Sequence, residues 1–287
     1  MIEKPVVHTF EGKEEGPTLL IFGGIHGDEV CGPEALIRIK REIEEGILTL
    51  ARGTLILVPV ANPQARKENK RFIEENLNRI FKTWEIADTY EKQLANLLTE
   101  TVQRCDYLLD VHSMTAKSEP TVFIDFPTSE NRALAAVLGM RYAILGWPEL
   151  YEKHGGIIDS YDTTLYANSL GKHGVIVECG QHEDPKAIEV AYDAIISALK
   201  YVGILNGEVT PSPLTEVLMR ELYIKKNVED DFTKDWQHLD SFKEGEVLAT
   251  TTDGPIVAAF DGVMLLPKRN HPVGTEWFYT GSIESVG

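Results

Sequence analysis

The chain has 287 residues, 43% hydrophobic and 25% charged, so it can bury a substantial core and is unlike disordered or fibrous chains. Its 28 Lys and Arg stand against 45 Asp and Glu, and the formal net charge of −17 excludes phosphate backbones and anionic membrane surfaces as expected partners. No apolar run reaches the ~18 to 20 residues that cross a bilayer, and residues 1–15 lack the apolar stretch of a secretory signal. Cys31, Cys105 and Cys179 are widely spaced and form no CxxC pair, so a cytoplasmic chain with reduced, buried cysteines is expected.

In chain order, Thr18 to Gly24 (TLLIFGG) reads as a buried strand ending in a tight turn. From Glu29 to Ile47, Ala35, Leu36, Ile39 and Ile43 recur at helical spacing, with Pro33 tolerable in the first turn. Gly53 to Val60 predicts a strand, Ile86 to Arg104 a helix and Tyr107 to Val111 a third strand. The alternation continues through strand Thr121 to Phe126, helix Ser129 to Met140, strand Tyr142 to Leu145, helix Thr163 to Leu170, strand Gly174 to Glu178 and helix Pro185 to Val202. Strands apolar on both faces, separated by amphipathic helices, predict an α/β fold with a mainly parallel or mixed sheet covered on both faces. After Gly207 the pattern becomes short β-type runs, Val247 to Thr251, Ile256 to Phe260 and Gly262 to Leu266, set off by Asp-Gly and Pro turns. The expected division is therefore an α/β domain over residues 1–207 and a small all-β domain over 208–287.

The sharpest local feature is Gly23-Gly24-Ile25-His26-Gly27-Asp28-Glu29, between the first buried strand and the first helix. His26 and Glu29 are three residues apart at a helix entry and can project from one face, a two-ligand metal clamp. Alone, the pattern fits equally a histidine that merely caps the turn. The third strand runs into Asp110-Val111-His112-Ser113, placing another histidine at the carboxyl end of the sheet, where sites in open α/β folds collect. Three ligands, His26, Glu29 and His112, would leave a fourth tetrahedral position for water, the arrangement of catalytic zinc. Asp110 would either orient His112 or bond to backbone.

Val175 to Val177 lead into Glu178-Cys179-Gly180, a carboxylate at the end of a buried strand, suited to general-base work on a zinc-activated water. The competing reading is a buried ion pair with an arginine. Residues 66–79 hold five cations, Arg66, Lys67, Lys70, Arg71 and Arg79, an exception in so acidic a chain. Arg66, Lys67 and Lys70 read as a solvated loop, while Arg71, Asn78 and Arg79 suit an anionic substrate and an oxyanion. The other histidines, His8, His154, His173, His182, His238 and His271, have no second ligand at metal spacing and are assigned to surfaces or turns.

Together, HGDE (His26, Glu29), RFIEENLNR (Arg71, Asn78, Arg79), DVHS (His112) and VIVECG (Glu178) resemble the succinylglutamate desuccinylase/aspartoacylase family, which belongs with the metallocarboxypeptidase-like zinc hydrolases. The resemblance covers nearly the whole chain. It implies one zinc per chain on His26, Glu29 and His112, Glu178 activating the water, Arg71 polarising the scissile carbonyl, and Asn78 and Arg79 binding the substrate's α-carboxylate. The implied enzyme is a metal-dependent amidohydrolase acting on linear amides, its substrate a small anionic N-acyl amino acid. Asn168 stands where aspartoacylase carries an arginine for the side-chain carboxylate, which weakens the case for acetylaspartate; Tyr161 and Tyr166 are further pocket candidates, and Met114 narrows the pocket. The β region after 207, similar to the barrel-sandwich pattern of biotinyl and lipoyl domains but without a lysine at its Asp-Gly turns, would shape or shield the cleft. Alternatives are a metallocarboxypeptidase acting on a small peptide and a non-catalytic metabolite-binding relative. A homo-oligomer is compatible with every one of these readings.

Overall fold

A computed structural model describes residues 2–153, 161–269 and 272–284. His154 and His271 lie outside them. In chain order the first part runs β1 (His8–Glu11), β2 (Glu14–Gly23), α1 (Cys31–Glu44), β3 (Arg52–Val58), α2 (Pro63–Glu68), a 3-10 turn (Leu77–Arg79), α3 (Tyr90–Val102) and β4 (Tyr107–Met114). It continues with β5 (Thr121–Ile124), α4 (Ser129–Val137), β6 (Tyr142–Leu145), α5 (Trp147–Lys153), α6 (Thr163–Ser169), β7 (His173–Gln181) and α7 (Lys186–Tyr201). The last part is β8 (Thr215–Ile224), β9 (Asp231–Phe232), β10 (Ser241–Phe242), β11 (Val247–Thr251), β12 (Gly254–Val257), β13 (Gly262–Leu265) and β14 (Glu276–Ile283).

Eleven strands form one sheet in the order β1-β3-β2-β4-β7-β5-β6-β8-β14-β13-β10. The central ladder β3-β2-β4-β7 is parallel, as expected for strands apolar on both faces. One face is covered by α1, α4 and α7, whose Leu36, Ile39, Leu134, Ile195 and Leu199 pack against Leu19, Ile21 and Val175. On the other face α3 brings Leu94, Leu98 and Val102 against Leu20, Phe22 and Ile56. Helix α1 stops at Glu44, short of the expected Ile47, because Gly46 takes a left-handed φ of 75° that ends the helix. Helix α3 starts at Tyr90 rather than Ile86, where Thr89 accepts from the Lys92 N–H at 3.4 Å as an N-cap.

The expected boundary at 207/208 does not interrupt the sheet. β6 pairs in parallel with β8, and β8, β14, β13 and β10 extend the same sheet by antiparallel pairing. Only β12, β11 and β9 form a separate small antiparallel sheet. That sheet packs on the large one through Trp277, Phe278, Trp236, Leu248 and Phe232, while Val217, Met219, Leu265 and Tyr279 pack with Phe123, Ile144, Tyr151 and Ile176, so the C-terminal region shares a core with the rest. Among the described residues, no helix is long and apolar enough to cross a membrane.

Candidate active site

Register brings the chemistry together. β2 and β4 are aligned with Gly23 opposite Val111, and β4 and β7 with His112 opposite Glu178. β4 runs three residues beyond the expected Val111, so His112 lies within a paired strand and its backbone is fixed. Leaving β2, the chain turns at Gly24, with φ 59°, and passes Gly27 against α2, where a Cβ would meet the Ala65 carbonyl carbon at 2.1 Å. No larger residue fits at Gly27 without moving the loop that delivers His26 and Glu29.

His26, Glu29 and His112 are each about 2% exposed or less, and their ligating atoms all lie within 4.8 Å of one another. His26 Nδ1 is 2.8 Å from Glu29 Oε1, and His112 Nδ1 is 2.9 Å from Glu29 Oε2. The remaining ring nitrogens face acceptors: His26 Nε2 lies 3.0 Å from Asn76 Oδ1, and His112 Nε2 lies 3.0 Å from Asp110 Oδ2. An imidazole that gives its Nε2 proton to such an acceptor turns an unprotonated Nδ1 toward the carboxylate, so lone pairs converge and call for a cation. Within the protein atoms alone, a proton on His112 supplies part of that charge: burial opposes it, but Asp110 and Glu29 outweigh burial and hold its pKa well above the ordinary value. His26 is instead drawn down to about 3, by burial first and then by the Arg71 cation. Burial pushes the Glu29 carboxyl up, but the two histidines outweigh it and hold the pKa well below the carboxylate range. A His, Glu, His donor set with both imidazoles oriented from behind fits a divalent ion such as zinc.

Asp110 is fully buried and also accepts from the Thr163 hydroxyl, while the Thr163 N–H donates to Asn78 Oδ1 at 3.3 Å. One threonine at the start of α6 therefore ties the partner of His112 to the loop carrying Asn78. Asn76 does similar work, since its Oδ1 also accepts the Asn78 N–H at 3.0 Å.

These groups open on a cleft of about 1110 Å³, lined by His26, Arg71, Asn78, Arg79, His112 and Glu178 among others. Glu178 has one buried oxygen without a partner among the described residues, and burial, followed by the nearby Glu29 charge, raises its pKa to about 8. Arg71 reaches Glu29 Oε1 at 3.3 Å while remaining 33% exposed, so part of its guanidinium faces the cleft. Arg79 is held more tightly, with Nε and Nη2 each 3.1 Å from a Glu276 oxygen and its guanidinium over the Trp147 ring. Met114 and Thr115 line the cleft as well.

Two expected substrate contacts are corrected. Asn168 spends its amide on Thr164 O at 2.7 Å and accepts from Asn131 at 2.7 Å, tying α6 to α4, and does not line the cleft. Tyr166 packs edge-on against Phe81 with ring centroids 5.9 Å apart, on the helix-covered face. Two of the histidines assigned to surfaces or turns do lie in turns and also make internal contacts. His238 is buried, accepting the Leu266 N–H at 3.0 Å. His182 Nδ1 is 2.8 Å from Ser113 Oγ, and its ring shares a ligand-distance cluster with Asp28 and Glu29.

Sequence reasoning missed several residues. Glu91 is fully buried and accepts the backbone N–H groups of Ile73, Glu74 and Glu75 at 2.7, 3.1 and 3.2 Å, fixing the loop between Arg71 and Asn78. Nothing in its local pattern separates it from an ordinary acidic residue of a helix's first turn. Asn76 did carry a signal, the Asn two residues before Asn78 at the head of a short turn. Glu276 and Lys268 come from the C-terminal region, where isolated charges carry no spacing to read.

A two-faced α/β sheet whose strand ends hold a buried His, Glu, His cluster that could hold a metal ion, with a carboxyl and two arginines on the same cleft, is the class of architecture that this chain presents. Residues 15–200 match the succinylglutamate desuccinylase/aspartoacylase catalytic domain, and the chain belongs to that family. A succinylglutamate desuccinylase of Vibrio vulnificus is 26% identical over 275 residues, covering 91% of this chain and 79% of that protein. Among solved structures, a succinylglutamate desuccinylase/aspartoacylase of Rhodobacter sphaeroides superposes with a TM-score of 0.75 at 17% identity, covering 97% of this chain and 89% of its own. The product-bound ectoine utilization protein EutE (DoeB) of Ruegeria pomeroyi has the same TM-score at 21% identity, with 96% and 88% covered.

Proposed function

We propose that this chain is a zinc-dependent hydrolase that cleaves the amide bond of an N-acyl amino acid to a carboxylate and a free amino acid. The observation that carries the reading is the convergence of His26, Glu29 and His112 within ligand distance, with Glu178 on the same cleft. Family membership and the name of the Vibrio relative support amide hydrolysis of an acylated amino acid without fixing the acyl group. His26, Glu29 and His112 would hold one zinc, which when bound supplies Lewis acidity to the carbonyl and to the attacking water.

The chain's own residues do the rest. Glu178 takes a proton from the attacking water and returns it to the leaving nitrogen, its side chain facing the cleft from β7. Arg71 stabilises the oxyanion that develops on the scissile carbonyl. Asn78 and Arg79 orient the substrate by its amino-acid carboxylate. The residues after 207 wall one side of the cleft with Trp236 and Leu266 and limit water access to the reacting bond. Three buried free cysteines agree with a reducing, cytoplasmic location.

The test is a pair of variants. Glu178→Gln is expected to retain metal while turnover falls by about 10² to 10⁴. His112→Ala is expected to lose metal as well, measured as bound zinc per chain after gel filtration. Near wild-type turnover in Glu178→Gln would remove Glu178 from the role of base.

A further inference from the structure

The cleft wall supplied by the C-terminal region contains a lysine to which the reaction above gives no role. Lys268 follows β13, and its backbone N–H donates to Trp277 O at 3.0 Å, which pins it beside β14. Its side chain is 21% exposed and lines the cleft. Lys268 Nζ lies 3.4 Å from Glu276 Oε2, the oxygen that already accepts Arg79 Nη2 at 3.1 Å. The other Glu276 oxygen accepts Arg79 Nε at 3.1 Å and the Tyr151 hydroxyl.

One carboxylate thus faces two cations, and the third charge bearing on Lys268 is Arg71, also a cation. The buried carboxyls Asp125 and Asp162 on the same cleft face Arg79, so Lys268 is the cation with the weaker hold, its single contact to Glu276 being 3.4 Å long. Arg79 is not exhausted by Glu276 either: of its five N–H bonds, two go to Glu276 and one to Asn78 O at 2.9 Å, which leaves two. The neighbouring Arg269 is drawn the other way, to Asp231 and Asp235 at 3.5 Å.

We propose that Lys268 is a specificity-determining residue of this cleft: its ammonium and the two remaining N–H bonds of Arg79 together take the amino-acid carboxylate of the substrate, while Glu276 holds both cations in place. The identity of that ligand rests on the deacylase reading. A titratable cation in this position makes the preference for an acid dependent on pH. Burial lowers the Lys268 pKa most, Glu276 on β14 opposes, and Arg71 and Arg79 lower it further, to about 8. Tyr151 on α5 and Tyr279 on β14 complete the group around Glu276 by hydrogen bonding. The free protein therefore loses the ammonium, and with it part of its grip on an anion, as pH rises through that value.

The experiment is calorimetric binding of the non-hydrolysable ketomethylene analogue of N-succinylglutamate and of that analogue's α-carboxamide to zinc-loaded wild type, Lys268→Met and Lys268→Arg, at about pH 7 and about pH 9. Wild type is expected to prefer the acid by about tenfold or more at the lower pH, and Lys268→Met to reduce that preference to about twofold. The wild-type preference shrinks at the higher pH, whereas Lys268→Arg keeps it at both. Equal loss of acid and amide binding in Lys268→Met, no acid preference in wild type, or a wild-type preference unchanged between the two pH values would each overturn the proposal. Because binding does not require turnover, selective binding of the analogue without amino-acid release from N-succinylglutamate itself would contradict the deacylase reading and leave the role of Lys268 standing. Release of amino acid without the pH-dependent preference would do the reverse.

Discussion

Glu178 can be tested apart from catalysis, because a carboxyl raised by burial leaves a signature in stability. Its pKa rises from an ordinary 4.5 to about 8 in the folded chain, so below 4.5 both folded and unfolded forms carry the proton. Between the two values the unfolded chain has released a proton that the folded chain still holds, so this group's contribution falls steadily as pH rises. In chelator-treated protein, Glu178→Gln is therefore expected to melt close to wild type near the lower limit and progressively above it as pH approaches the upper one. A melting difference that stays constant across this range would mean that Glu178 is not the buried carboxyl described. Asp110 shows how much of the site the sequence left open. The DVHS motif allowed it either to orient His112 or to bond to backbone, and in the structure its Oδ2 lies 3.0 Å from His112 Nε2. The Thr163 hydroxyl that shares it comes from an element 53 residues further on, which local spacing could not foretell.

At the scale of elements, the segment from Arg71 to Arg79 has little regular structure beyond a three-residue 3-10 turn, yet it carries three of the proposed functional groups. Its order comes from α3, whose Glu91 gathers three consecutive backbone N–H groups and the Asn62 amide at 3.2 Å. Glu91→Ala would strand those buried donors, at a cost on the order of 3 kcal/mol in stability. The same variant is expected to raise KM and to lower kcat, since Asn78 and Arg79 lose their register and the same loop carries Arg71 and the His26 partner Asn76. Thermal melting and steady-state kinetics together check this, and an unchanged KM would show that the loop is ordered by other means. The parallel core was readable because the apolar runs of β2, β4 and β7 lead into Gly23, His112 and Glu178. Asn168 and Tyr166 misled because a helix places side chains on all its faces, and α6 turns these two toward α4 and Phe81.

For the whole molecule, the large sheet continues past the change of sequence pattern at Gly207. The pairing of β6 with β8, in register from Tyr142 opposite Thr215 to Leu145 opposite Leu218, joins segments more than 70 residues apart, and alternation within each segment cannot reveal its partner. The consequence is functional, for that continuity carries β14 and the end of β13 to the rim of the cleft, where Glu276 meets Arg79 and Lys268 faces inward. The cleft wall and the His, Glu, His cluster are thus held by one continuous sheet. The function proposed for this cluster is metal-dependent amide hydrolysis. It is tested most directly by measuring free amino-acid release from N-acetyl, N-succinyl and N-formyl amino acids and short peptides, with zinc-loaded protein beside a chelator-treated control. Release from an N-acyl amino acid that chelator abolishes and added zinc restores is the predicted result; release that survives chelation, or silence across the panel with zinc bound, would contradict it.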